Sequence, residues 1–174
     1  VKDDWKINSQ QVFADGKILD QIGGKMAEGH ITSAWHWKHK GKGLEDMIPG
    51  SFYYDLKAKK LYIWLKDGKN PNQRLIEVST RERLIQVGDL EFIRVSGLTL
   101  RHGNNFKGNA ALVFDGRHCI AEDIDQAWHA FGGGSVMGEY LTFSRCKFNH
   151  NGNNGMGGRR RGHRILNCET NYNN

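Results

Sequence analysis

The sequence predicts an all-β chain: a parallel β-solenoid in its second half, preceded by a small β-rich subdomain. Three observations predict it. A short pattern recurs in four segments, starting at Phe92, His118, Tyr140 and His163, of which the first is the loosest. Laid under one another, these put Leu98, Ile124, Cys146 and Cys168 in one column, at steps of 26, 22 and 22 residues. A repeat of that length with strand-like alternation is one coil of a stacked structure. Within each copy, apolar columns (Ile93, Cys119, Leu141; Val95, Ala121, Phe143, Ile165) flank a mostly polar one (Arg94, Ile120, Thr142, Arg164). Such period-two alternation marks a strand with one face on a core. Each copy then breaks, at Ser96-Gly97, Glu122-Asp123, Ser144-Arg145 and Leu166-Asn167, and ends in a corner rich in Asn and Gly.

The corners carry their own register. Asn149 falls over Asn171, and Asn151 over Asn173. Stacked amides can bond along a ladder because each carries a donor and an acceptor. Asn also tolerates the left-handed backbone of a tight corner. A third strand per coil is expected at Ala110–Phe114, Ser135–Met137 and the region from Met156 to Arg160, with Leu84–Val87 as the first coil strand. The 22 glycines against 2 prolines fit many tight corners and few rigid linkers.

The pattern of apolar-x-apolar, polar break and Asn-x-Asn-Gly corner at about 22 residues per coil resembles the right-handed parallel β-helix proteins of the pectate-lyase-like superfamily. The resemblance spans Leu84 to Asn174. It implies the handedness, which agrees with the general rule for parallel connections. An antiparallel sandwich of short strands is the competing architecture.

The N-terminal region, residues 1–83, is read as a separate β-hairpin-rich subdomain. Gln11-Val12-Phe13-Ala14 and Ile18-Leu19 flank Asp15-Gly16-Lys17, a strong hairpin signal, with Trp5 packed on it. Residues 25–50 show no clean period and read as a long surface loop of the kind that often binds. It holds His30, Trp35 and the run His36-Trp37-Lys38-His39-Lys40. Two histidines at that spacing are a weak metal signal without further ligands; Trp37 could stack on a sugar or pack in a core. Phe52-Tyr53-Tyr54 and Leu61–Leu65 form a second hairpin, and Leu75–Val78 another strand. The block resembles the small β-subdomain that precedes the coils in many secreted bacterial β-helix proteins. It would either contribute to carbohydrate activity or cap the open end of the solenoid.

Composition bounds the partners. A net charge of +6 favours polyanions such as acidic polysaccharide, nucleic acid or an anionic surface. No nucleic-acid module is present in the motifs, and no apolar run is long enough to span a membrane. The chain opens Val1-Lys2-Asp3-Asp4 without an initiating Met; it has either lost a leader or is a piece of something longer. Asn173 and Asn174 fall inside a coil corner, so the expectation is continuation into further coils, or else end-to-end self-association with another chain. Cys119, Cys146 and Cys168 all fall on inward columns. Inward cysteine behaves as a small hydrophobe, and free thiols are expected.

Two constellations could carry chemistry. The acidic one is Glu122, Asp123 and Asp125, near His118 and His129. Glycoside hydrolysis needs two carboxylates about 5–9 Å apart; a corner acid paired with Lys147 is the alternative. The basic one is Arg159-Arg160-Arg161 with His163 and Arg164, and Arg117 and His118 at the matching part of an earlier coil. A polysaccharide lyase neutralises a uronate carboxylate and abstracts a neighbouring proton, work suited to Arg, Lys, His or Tyr. The resemblance therefore implies a secreted or cell-surface carbohydrate-active protein, a lyase or glycoside hydrolase acting on an acidic polysaccharide. In it Arg117, Arg159 and Arg161 would hold the sugar, Trp37 would stack, and His118, His163, Asp123 or Asp125 would move protons. The superfamily's calcium-binding acid column is not visible, so neither Ca2+ nor any other cofactor is called. The alternative function is a non-catalytic glycan-binding or adhesion module on the same scaffold.

Overall fold

The computed structural model describes residues 1–23, 41–105 and 109–173. Trp37 and the His36–Lys40 cluster lie outside them. The chain forms two compact units, Val1–Thr80 and Arg81–Asn174. Among the described residues no helix is long and apolar enough to cross a membrane.

In the first unit, strands β1 (Val12–Ala14) and β2 (Lys17–Ile18) form the expected hairpin. Its two turn residues, Asp15 and Gly16, have φ of 48° and 73°, as a two-residue turn matched to strand twist requires. Strands β4 (Ser51–Asp55) and β5 (Lys60–Trp64) form the second hairpin, and β6 (Ile76–Val78) pairs antiparallel with β1. One pairing is invisible to hairpin logic: β3 (Asp20–Ile22) lies parallel to β4. The core is Val12, Leu19, Phe52 and Leu61, with Trp5 packed against it as expected.

The second unit is a parallel β-solenoid of about three turns over residues 85–166. It has three ribbons of strands. One is β7 (Ile85–Val87), β10 (Ala110–Phe114), β13 (Gly132–Val136) and β16 (Met156–Gly158). Another is β8 (Arg94–Ser96), β11 (Ile120–Glu122), β14 (Thr142–Ser144) and β17 (Arg164–Leu166). The third is β9 (Thr99–Arg101), β12 (Asp125–Ala127) and β15 (Lys147–Asn149). The sequence columns are the observed register: Val95, Ala121, Phe143 and Ile165 pair in one line. Ala121, Ile124, Phe143, Cys146 and Phe148 are buried at its centre. Strand β13 starts three residues earlier than expected, because Gly132-Gly133-Gly134 has weak strand propensity and takes its geometry from pairing with β10. The cysteines are free thiols, Cys119 and Cys146 buried.

Each coil turns at three corners, and each corner holds one residue with left-handed backbone. The first column is Phe92, His118, Tyr140 and Gly162; the second is Gly97, Asp123, Arg145 and Asn167; the third is His102, Trp128, His150 and Tyr172. Their φ values run from 52° to 78°. This conformation costs roughly 1–2 kcal/mol for a residue with a side chain. Contacts between coils offset the cost. Phe92, His118 and Tyr140 stack with ring centroids 5.2 and 5.1 Å apart, within 7° of parallel. Trp128, His150 and Tyr172 stack likewise at 4.6 and 4.8 Å, within 9° of parallel. Such ring pairs contribute about 0.5–1.5 kcal/mol each beyond area burial. The second corner uses ions instead, Arg145 on Asp123.

Coil spacing is uneven in one place. The step from Gly103 to His129 is 26 residues, but from Ala110 to its partner Gly132 it is 22. The extra residues of the first coil therefore enter between the third corner and β10. Elsewhere the coils approach closely: a side chain at Gly138 would meet the Gly116 carbonyl oxygen at 1.7 Å.

Inside the third corner runs a polar spine. Asn105 accepts from the Phe131 amide at 2.7 Å, and Asn151 accepts from the His129 amide at 3.2 Å and donates to Asn173 at 3.0 Å. His129 shares this column and is fully buried, its Nδ1 accepting from the Gly103 amide at 2.9 Å. Burial, helped by the charges of Arg101 and His102, pushes its pKa down to about 3.

Two outcomes follow. His150→Ala is less stable than His150→Gly by about 1 kcal/mol, because only glycine is free of the left-handed penalty; urea unfolding measures the difference, and an equal or reversed order contradicts it. His129 binds a proton in the unfolded chain below its ordinary value of 6.5 but stays neutral when folded. Its contribution is therefore complete above that pH and declines as the pH falls toward the folded value. Between pH 7 and pH 5 the loss is about 2 kcal/mol, and His129→Asn removes this slope in denaturation curves taken at both pH values.

Candidate functional site

The surface follows from how each coil leaves the β7–β10–β13–β16 ribbon. Phe114 and Val136 end their strands facing the core, and the next residues are Asp115-Gly116-Arg117 and Met137-Gly138-Glu139. The glycines let the coils close up, which sets the charged neighbours directly over one another. Backbone bridges join Glu91 to Arg117 and Arg117 to Glu139. The Tyr140 amide bonds to the Arg161 carbonyl at 3.0 Å, which continues the column to Arg161. The result is a ladder of alternating charge: Glu91, Arg117, Glu139, Arg161. Glu139 receives Arg117 and Arg161, each at 3.7 Å.

Two clefts flank this ladder. The first, about 280 Å³, is lined by Asp89, Glu91, Asp115 and Glu139 together with Arg117 and Arg160. The second, about 430 Å³, has a floor of Ala110, Gly132, Gly134, Gly157 and Gly158 and walls of Asn109, Phe131, Asn154 and Arg159. Met137 lines both. A larger cleft, about 640 Å³, lies in the first unit beside Asp15, Asp67 and Arg74. There Arg74 is held by Asp15 at 3.1 Å and Asp67 at 2.6 Å.

The basic constellation is brought together. Arg117 lines the first cleft and Arg159 the second. Arg161 binds Glu139 and lies 5.9 Å from the Tyr140 ring centroid. His118 is held between Phe92 and Tyr140. His163 uses both ring nitrogens: Nδ1 accepts from the Leu141 amide at 3.4 Å, and Nε2 donates to the Arg159 carbonyl at 3.0 Å. Both ring nitrogens are thus engaged by backbone groups.

The acidic constellation sits elsewhere. Asp123 is bound by Arg145 at 2.8 and 2.9 Å, and Arg145 also reaches Glu122 at 2.6 Å. Glu122 is further paired with Arg94. The hydrogen bond from Arg145 holds the Asp123 carboxyl below its ordinary range, aided by the charges of Arg145 and Arg94. Asp125 pairs with Arg101 at 2.9 Å, and Lys147 with Glu169 at 3.5 Å. A carboxylate held ionised by arginine is a poor proton donor near neutral pH.

Glu139, Arg145 and Arg101 were not among the residues singled out from the sequence. Glu139 and Arg145 were nonetheless legible, since each shares a column with a chosen residue of opposite charge. Arg101 reaches Asp125 diagonally between columns, and column reading does not find it. Among the described residues, no group of three or more His, Cys, Asp or Glu is arranged to hold a metal ion. Comparison with models of protein families, with curated proteins and with solved structures gives no match.

Removing the guanidinium that dominates the second corner has a direct readout. In Arg145→Ala the Asp123 carboxyl titrates at higher pH than in the parent protein, as followed by carbon NMR of the side-chain carboxyl. An unchanged titration contradicts the pairing.

Proposed function

We propose that this protein is a polysaccharide-binding β-solenoid, secreted or surface-borne, that seats an acidic glycan in the glycine-lined cleft beside Met137 and Arg159 and releases it uncut. One observation carries the choice of binding over cleavage: the residues that the sequence offered for proton transfer are engaged by neighbours within the protein. His163 spends both nitrogens on backbone, His118 is sandwiched between rings, and Asp123 and Asp125 are each paired with arginine. The second cleft offers what a sugar chain uses. Asn109 and Asn154 supply hydrogen-bonding groups, Phe131 an apolar wall, and Arg159 a cation for a uronate carboxylate. The resemblance to right-handed β-helix proteins of the pectate-lyase-like superfamily supports a glycan as ligand, because that group commonly carries sugar-directed grooves on an outer face.

Retention on immobilised polygalacturonate tests the reading. The protein is retarded, salt weakens retention, and Arg159→Ala lowers affinity about tenfold, as the loss of one charge-assisted hydrogen bond does. Free passage through polygalacturonate, or release of unsaturated or reducing-end products during incubation, overturns it.

A further inference from the structure

We infer that Arg83 is a positioning residue for the second cleft: it turns the Asn109 amide so that an N–H, not the oxygen, is offered to a ligand, and so fits the cleft to a carboxylate. This rests on the binding role proposed above.

The placement begins in the backbone. Residues 81–84 run beside the first coil on both sides of its extra residues. The Asn104 amide donates to the Arg81 carbonyl at 2.7 Å, and the Leu84 amide donates to the Ala111 carbonyl at 2.9 Å. Arg83 lies between these anchors and reaches Asn109, the residue that leads into β10. Its guanidinium acts as a fork: Nη2 donates to Asn109 Oδ1 at 2.9 Å and Nη1 to Gln86 Oε1 at 2.8 Å.

A guanidinium has donors and no acceptor, so an amide that bonds to it must present its oxygen. Both amides obey. Gln86 has its nitrogen on the other side, where Nε2 donates to Asp115 at 3.4 Å. Asn109 Nδ2 donates to Glu82 at 3.4 Å and keeps a second hydrogen for a ligand. The Glu82 contact favours the same orientation, but it is longer than an ordinary N–H···O bond and weaker than the one from Arg83. Arg83 therefore dominates the choice.

The rest of the cleft matches. Asn154 Nδ2 stands over Gly157, where an added Cβ would meet it at 3.2 Å, and both residues line the cleft with Arg159. The cleft thus has two amide nitrogens and a guanidinium along it, all donors. An ionised carboxylate, which only accepts, suits this set. A neutral hydroxyl both donates and accepts, and its hydrogen finds no partner among these three groups.

A double-mutant cycle tests this, since Arg83 also carries charge and could attract a polyanion without touching Asn109. Affinity for polygalacturonate is measured for Arg83→Met, Asn109→Ala and the two combined, with circular dichroism to verify folding. Each single change weakens binding about fivefold, and the pair together weakens it no more than either alone. Losses that multiply to about twenty-five-fold mark a plain charge attraction and overturn the proposal; so does full affinity in Arg83→Met. A parent protein that does not bind polygalacturonate overturns the binding role instead. The positioning is then decided in the free protein by nitrogen NMR of the side-chain amides. There the Asn109 and Gln86 signals both move in Arg83→Met, and signals left in place overturn the assignment of Arg83.

Discussion

The structure depends on a backbone conformation that most side chains avoid. Three times per coil the chain turns through the left-handed region, and at most of these positions the residue is not glycine. The penalty is bearable only because like positions lie directly above one another. A ring at the first or third corner finds a ring on the adjacent coil, and an acid at the second finds an arginine. Register and corner strain thus sustain each other: slipping one coil by a residue would leave every corner strained and unpartnered.

The same stacking decides where charge can be spent. Alternating columns neutralise themselves, so the basic balance of the chain is not spread evenly over the solenoid. Arg117, Arg145 and Arg101 are engaged by acids, whereas Arg159 stands on the wall of an open cleft. A reading of net charge alone treats these arginines as equivalent. The columns separate arginines paired with acids inside the stack from Arg159, which lines an open cleft, and the proposed binding role rests on that separation.

Much of this was legible in the residues. The apolar columns, the Asn stack and the Asp15-Gly16 turn were readable because each is a local rule repeated at fixed spacing. The parallel pairing of β3 with β4 was not, because it depends on a long connection with no period of its own. The start of β13 was missed because glycines carry no strand signal. His129 was read beside the acidic constellation as a neighbour for chemistry, yet it shares its column with Asn151 and Asn173 and is buried among backbone amides. The acids Asp123 and Asp125 looked like a pair because they are close in sequence. In space Asp123 answers to Arg145 at the second corner and Asp125 to Arg101 across the β9–β12 pair, and adjacency along the chain carried less information than position in the stack.

The uneven spacing of the first coil has a practical meaning. Every ladder keeps its step while the residue count between Gly103 and Ala110 differs from its counterpart in the next coil. That junction is therefore a tolerant splice point, where the chain can lengthen without any column losing its place. Asn109, at its downstream edge, is a wall of the glycine-floored cleft. The extra residues of the first coil thus change the length of chain leading into that rim while the pairing of β10 with β13 keeps its register.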